Sequence, residues 1–475
     1  MTDSAAETRA RNLALLVAGT FFMENLDGTI LVTAVPSIGR DLGVPPVAVG
    51  VTITAYLLTL AMLIPLSGWI TRRFGSRRVF LSAIVVFTLA SVLCAASSTL
   101  PELTAARVLQ GFGGAMMVPV GRLAVLRATD KSGLVRAVAL LTWPALAAPV
   151  IAPVVGGVLT TYASWHWIFL INVPLGVVAF VFALRLVPRE LPEHPARLDW
   201  VGLLLSSAGL GSLVYLASLL SDGDPSGLEV LLWAIGGLAA LAAAVFWQLR
   251  VRHPLFDLAA LRVETFRVAH AGGSLFRLAV NAVPFLLPLL FQERFGWSPV
   301  LSGALVLFVF VGNIAIKPAT TPLLRRFGFR PVLIVASACA ALSIALMAVI
   351  SVDTPLWVIA ALLMFSGAAR STGFTAYNTI AFADIDRAEM TDANTLASTL
   401  QQVAAGFGVA IGALALRAGG LLTPQTPVSS PENPAFVVAF LVVAALTVLA
   451  TLESLALSRD AGSAIRPAAA RPRAS

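Results

Sequence analysis

The chain has 475 residues, 58% of them hydrophobic and only 12% charged, with a formal charge of +8 and a mean hydropathy of +0.90. A soluble domain carries about 25% charged residues, so a soluble enzyme or a nucleic-acid-binding protein is excluded and a polytopic membrane protein is indicated. The apolar runs are long and continuous, which excludes the alternating pattern of a β-barrel.

A crossing helix needs about 20 predominantly apolar residues. Fourteen stretches meet that need, at 12–36, 46–70, 79–98, 103–127, 135–162, 165–187, 200–220, 228–249, 266–291, 299–323, 331–351, 355–378, 392–417 and 434–457. The first is too long for a signal-peptide core and lacks a small-residue cleavage site, so it is expected to stay as a mature helix. With the N-terminus inside, Lys and Arg beyond the spans fall in the tails and inner loops, and the outer side carries only Arg40, Arg294 and, at the outer end of its span, Arg417. This asymmetry predicts that both termini are cytoplasmic.

In span 1, Glu24 and Asp27 lie in a segment otherwise suited to lipid. An acid at that depth costs roughly 2.5–3.5 kcal/mol on insertion scales, so intramembrane acids are functional-site candidates by default. Three residues apart, the two share one helix face, where a proton could be loaded and released. Between spans 2 and 3, Gly68 permits close helix approach and Gly75 a tight turn. Arg72, Arg73, Arg77 and Arg78 stay in water, near helix ends or lipid phosphates. Span 4 buries Arg107, a guanidinium that needs a partner: the acids of span 1, or backbone carbonyls at the outer interface. In span 5, Pro144, Pro149 and Pro153 kink the helix, and Gly156-Gly157 allows it to pack closely.

Arg72-Arg73-Phe74-Gly75-Ser76-Arg77 recurs 253 residues later as Arg325-Arg326-Phe327-Gly328-Phe329-Arg330, again on the inner side. Repeats at corresponding positions mark two homologous bundles. The expected architecture is therefore all-α: two six-helix bundles plus two inserted transmembrane helices. Residues 1–190 form the first bundle, 191–263 the extra helices and linker, and 264–475 the second bundle with a short basic cytoplasmic tail. The acid pair is not repeated, since the equivalent of Asp27 is Val280. The second bundle instead buries Arg277, Lys317 and Arg370. With Asn281 these are the expected substrate contacts. Unpaired cations at depth are expensive, and an anionic or zwitterionic substrate would complete them; backbone carbonyls or snorkelling to the nearer surface are the alternative.

The loop Gly68 to Arg78 resembles the loop signature of the major facilitator superfamily, with Arg72 where many members carry Asp. Arg107-Val108-Leu109-Gln110-Gly111-Phe112-Gly113-Gly114 is similar to that family's second signature. The Pro153/Gly156/Gly157 stretch resembles its antiporter motif, with Ala152 in place of the usual glycine. Leu26-Asp27-Gly28-Thr29-Ile30 through Pro36 and Trp165-His166-Trp167-Ile168-Phe169-Leu170-Ile171-Asn172-Val173-Pro174-Leu175-Gly176 resemble the fourteen-spanner drug/proton antiporter branch. Ala115 to Leu123 and Ala163 to Asn172 resemble the bacterial inner-membrane exporters of MdtD type within it. Glu24 departs from that branch, which usually has an uncharged residue there.

The resemblance implies a multidrug-type exporter of the bacterial inner membrane, driven by proton antiport and alternating access. Asp27 is then the main proton carrier, Glu24 an accessory or substrate contact, and Arg107 the charge that tunes them. Gly68, Arg73, Gly75, Arg77, Arg78, Pro153, Gly156 and Gly157 are the conformational motifs. The partners are a small organic substrate, protons and the lipid bilayer, with no nucleic acid and no ATP, and the chain is expected to act as a monomer. No catalytic residue, cofactor or metal is expected: there is no GxxxxGK loop, the four His are scattered, and Cys94 and Cys339 read as small packing residues. An organic-anion or siderophore exporter, a proton-coupled uptake carrier and a non-transporting receptor are the competing readings. The receptor reading would need a soluble sensing domain or a long interaction tail.

Overall fold

The computed structural model describes residues 2–130, 133–189, 197–222, 226–252, 254–255, 257–422, 434–458 and 461–462. Among them every regular element is helical. The first eight helices are α1 (Thr2–Asp41), α2 (Pro46–Leu63), α3 (Ser67–Phe74), α4 (Ser76–Ala96), α5 (Leu100–Ala128), α6 (Leu134–Tyr162), α7 (His166–Leu170) and α8 (Asn172–Leu186). Next come α9 (Trp200–Asp222) and α10 (Gly227–Gln248). The rest are α11 (Glu264–Leu289), α12 (Pro299–Ala315), α13 (Lys317–Phe327), α14 (Phe329–Met347), α15 (Leu356–Ile380), α16 (Met390–Leu422) and α17 (Pro434–Leu455).

Each of the fourteen expected stretches lies on one helix or on consecutive ones. Among the described residues ten helices are long and apolar enough to cross a membrane, and α12 with α13, bent by 48°, makes an eleventh. The expected spans on α6, α9 and α16 are helical throughout. Besides the step at Ile171 between α7 and α8, two spans that read as continuous in the sequence are broken. Pro65 lies in a 3-10 turn (Ile64–Leu66) between α2 and α3, and Pro318 follows the break at Ile316. Proline cannot donate the intrahelical hydrogen bond, which explains both interruptions.

Among the described residues, side-chain caps start α5, α10 and α12. Thr99 accepts from the Glu102 amide at the head of α5, and Ser226 with Glu229 forms a capping box on α10. Within the spans, hydroxyls bond back to their own helix: Thr29 donates to the Asn25 carbonyl at 2.7 Å and Thr88 to that of Ile84 at 2.7 Å. Most Ser and Thr of the spans thereby satisfy themselves where water is absent.

The chain divides into two compact units. The first comprises Met1–Thr129, Leu140–Leu258 and Asp386–Val403. Its core joins α1, α5, α6 and α7 through Leu26, Ile30, Leu31, Leu103, Ala148 and Phe169. Within it α9 and α10 pair closely, because a side chain on Gly209 would meet the Gly237 carbonyl at 3.1 Å. Helix α9 is tied to α2 by Ser207, which donates to the Met62 carbonyl at 2.6 Å, and by the 2.7 Å contact between the Thr54 and Ser218 hydroxyls.

The second unit comprises Asp130–Ala139, Ala259–Ile385 and Ala404–Ser475. Its core packs α11, α12, α14, α15 and α17 through Leu286, Leu305, Ile344, Leu363 and Phe440. The closest approach is between α12 and α15. A Cβ at Gly312 would lie 1.9 Å from the Met364 carbonyl oxygen, and one at Gly367 1.8 Å from that of Val309.

Candidate functional site

The helix face of α1 that carries Glu24 and Asp27 meets the face of α5 that carries Arg107, Gln110 and Gly114. Asp27 is 1% exposed and Arg107 fully buried. Arg107 Nη1 donates to Asp27 Oδ2 at 2.5 Å and to Gln110 Oε1 at 2.6 Å. Asp27 Oδ1 accepts from Gln110 Nε2 at 2.8 Å and from Asn172 Nδ2 at 2.7 Å. Ser91 sits behind both amides, at 2.9 Å from Gln110 and 3.3 Å from Asn172. The Cys94 thiol lies 3.6 Å from Gln110 Oε1. The Asp27 carboxylate therefore holds three donors, one of them charged.

Arg107 is fixed from another side by an aromatic ring. Its guanidinium stacks 4.1 Å from the centre of the Tyr56 ring, a cation–π contact that strengthens when desolvated. Tyr56 in turn is pinned by its backbone, since a Cβ on Gly111 would lie 2.8 Å from the Tyr56 carbonyl. Gln110, Asn172, Ser91 and Tyr56 received no role from the sequence. Gln110 was findable as the residue three positions after Arg107 on the same helix face, and Asn172 stands inside the aromatic segment Trp165 to Gly176. Nothing in the sequence singles out Ser91 or Tyr56.

The basic loop motifs fall as follows. Gly75 and Gly328 adopt φ of 82° and 81°, a region that favours glycine. Arg77 donates to the Leu184 carbonyl at 2.5 Å near the end of α8. Arg330 donates to the Leu455 carbonyl at 2.9 Å at the end of α17. The repeat thus places the same arginine on carbonyls at the end of α8 in the first unit and of α17 in the second, where helix ends leave acceptors open. Gly68 backs onto Thr395, whose hydroxyl would meet an added Cβ at 2.3 Å. Arg72 is paired with Asp392, and Arg127 donates to Thr391. Arg73 and Arg78 are exposed. In α6, Gly156 lies against α1, where a Cβ would approach the Ile30 carbonyl to 3.1 Å, whereas a Cβ on Gly157 would meet nothing. The side chains of Pro144, Pro149 and Pro153 lie outside the described residues.

In the second unit, Arg277 and Arg370 approach one ring, at 5.8 and 5.5 Å from the centre of Phe374. Arg277 Nη2 donates to Asn378 Oδ1 at 2.5 Å. Nε and Nη1 of Arg370 are buried with no hydrogen-bond partner among the described residues. Lys317 donates to Oγ1 of Thr375, the residue after Phe374, at 2.8 Å. Asn281 is half-buried on α11 where α16 comes close, 2.8 Å from the position of a Cβ on Gly408. The structure therefore brings Arg277 and Arg370 to one ring, with Lys317 bonded to the adjacent residue Thr375 and Asn281 one turn beyond Arg277 on α11.

Residues 17–409 match the family model of the Major Facilitator Superfamily, and residues 272–473 match it again. The chain is 37% identical over 408 residues to MdtD of Cronobacter sakazakii, a protein named for multidrug resistance, covering 85% of this chain and 86% of that one. It is also 37% identical over 406 residues to the transport protein HsrA of Haemophilus influenzae, covering 86% and 88%. Among solved structures it shares a fold with the proton:xylose symporter XylE, at a TM-score of 0.63 and 15% identity, over 94% of this chain and 95% of that one. Human MFSD10 gives 0.61 at 15% identity, over 94% and 98%. By sequence along nearly its whole length, and by fold, the chain belongs to the major facilitator superfamily of membrane transporters.

Proposed function

We propose that this chain is a multidrug-type exporter that expels small organic molecules from a bacterial cytoplasm in exchange for protons. It works by alternating access in the inner membrane, as a monomer with both termini cytoplasmic. Residues 1–190 and 264–475 serve as the two bundles and 191–263 as the inserted helices. The observation that carries the reading is the buried Asp27–Arg107 pair.

A proton on Asp27 cancels the charge that holds Arg107. Leaving one member of a buried pair without its partner costs about 3–5 kcal/mol. Moving a two-state equilibrium from 1:99 to 99:1 takes about 5.5 kcal/mol. One protonation at this carboxylate therefore supplies most of what is needed to change which conformation is favoured. Asp27 carries the proton, and Gln110 and Asn172 hold the carboxylate in place.

A second reading is favoured by Arg370, whose buried donors have no hydrogen-bond partner among the described residues and which shares the Phe374 ring with Arg277. Two guanidinium groups on one ring suit an organic anion, so the substrate of the same transport cycle would be a carboxylate or a related metabolite. The deciding experiment uses proteoliposomes with an imposed pH gradient, screened over cationic drugs and organic anions. Export predicts substrate leaving the cytoplasmic side as protons move inward. Proton and substrate moving in the same direction would make the chain an uptake carrier instead.

A further inference from the structure

Helices α1 and α8 pack together in the first unit but leave an open groove of about 510 Å³ between them. Asn12, Leu16 and Met23 line it from α1, and Leu175, Phe182 and Leu186 from α8. On each helix these residues are four or seven apart, so they form one stripe. Each stripe runs eleven residues, about 16 Å of helix. That is the depth of one leaflet's hydrocarbon, half of a core about 30 Å thick. The rim is exposed, with Val178 at 55% and Phe182 at 52%. Gly19 keeps the groove open, since a Cβ there would meet nothing within 4 Å. Asn172 at the start of α8 is bonded to α1 beyond Met23, so the two helices run in opposite directions and Leu186 lies level with Asn12. One turn past that end stand two cations. Arg9 precedes Asn12 by three residues and Arg185 follows Phe182 by three, so each continues its stripe. Both are exposed, and neither forms an ion pair among the described residues. The other end, at Met23 and Leu175, is apolar.

We infer that this groove holds one acyl chain of an anionic phospholipid, with the lipid phosphate between Arg9 and Arg185. The chain is as long as the groove and brings no polar group that the apolar stripes would leave unpaired. The phosphate supplies the negative charge that the two guanidinium groups lack, and arginine matches phosphate geometry well. The Asn12 amide stands between tail and head, where it can donate to an ester carbonyl. A zwitterionic lipid would fill the same stripes but leave the arginines without a net counter-charge. On the orientation proposed above the lipid belongs to the cytoplasmic leaflet, whose anionic lipids attract basic segments next to a span. The binding itself does not depend on that orientation, nor on the export reading.

The test uses the purified full-length chain in lipid nanodiscs. Val178→Trp puts an indole on the rim, and its emission is read as the difference from the unsubstituted chain. Phosphatidylglycerol with brominated tails should quench that emission at a lower mole fraction than brominated phosphatidylcholine, by about fivefold for each arginine that meets the phosphate. Adding Arg9→Gln and Arg185→Gln should bring the two lipids level. Gly19→Leu, whose Cβ enters open space, should weaken quenching by both. A second readout needs no added indole. Phosphatidylglycerol should raise the melting temperature of the detergent-solubilised wild type more than phosphatidylcholine does, and the double arginine variant should lose that difference. Equal quenching by the two lipids before the arginines are changed overturns the inference and leaves ordinary boundary lipid. So does a preference that survives the double variant. Quenching by neither lipid overturns it as well, and gives the groove to a second copy of the chain or to a lipophilic substrate.

Discussion

Asn172 Nδ2 donates to Asp27 Oδ1 at 2.7 Å, which joins the first residue of α8 to the middle of α1 at a single carboxylate oxygen. Gln110 donates to that same oxygen, and Arg107 takes the other. The carboxylate is thus gripped at both ends: Oδ1 already accepts two hydrogen bonds, whereas Oδ2 accepts one and keeps a lone pair open to a proton.

Asp27→Asn should abolish uphill, proton-driven export while downhill exchange survives. The variant strands Arg107, so its melting temperature should fall, in keeping with a penalty of about 3–5 kcal/mol for breaking a buried pair. Adding Arg107→Gln should restore much of the stability and none of the coupling. Thermal unfolding and vesicle flux measured on the same preparations check both halves. Normal uphill export by Asp27→Asn would place the coupling acid elsewhere.

Arg370→Gln and Arg277→Gln report on substrate charge. If an anionic group binds there, either change should remove a charge-assisted bond of roughly 1.5–3 kcal/mol and weaken organic-anion transport by one to two orders of magnitude. A lipophilic cation should be handled as before. An equal loss for both probe classes would mean that the arginines support the fold.

The basic loops at Arg72–Arg78 and Arg325–Arg330 should both face the cytoplasm, with Trp165 near the outer surface. Single cysteines in these loops should resist a membrane-impermeant maleimide applied to intact cells, and one beside Trp165 should react. Outside labelling of either loop would overturn the fourteen-span topology.

Gly312→Ala forces a methyl into the Met364 carbonyl, 1.9 Å away. Overpacking of this kind costs about 1–3 kcal/mol, and here the obstacle is backbone. The melting temperature should drop, and Gly157→Ala, which meets nothing within 4 Å, should leave it unchanged. Detergent-solubilised protein in a thermal unfolding assay separates the two.

The spans were legible because lipid imposes a long apolar run on each helix, and the two arginine loops were legible because the repeat preserved their sequence. Asp27 and Arg107 stood out because charge is rare at depth. Their neighbours did not. A glutamine, an asparagine or a tyrosine in an apolar span has many uses, and only helix register across the bundle brings Gln110, Asn172 and Tyr56 to one carboxylate and one guanidinium. The same limit separates the second-half cations. Sequence grouped Arg277, Arg370 and Lys317 by their shared depth and charge, but gave no sign that two of them would meet Phe374 and the third the next residue, Thr375.

The glycine seam between α12 and α15 has a mechanical meaning. Above Ile316 the two backbones touch, so α12 can neither roll nor slide on α15 without a collision, and the pair behaves as one stiff beam. Below Ile316, Pro322 removes a hydrogen-bonding rung from α13 and Pro318 at its start cannot carry the ladder across from α12, and the axis already deviates by 48°. Compliance in this span is therefore concentrated at one joint, with a rigid arm on one side and a softer arm, ending in Arg325 and Arg326, on the other.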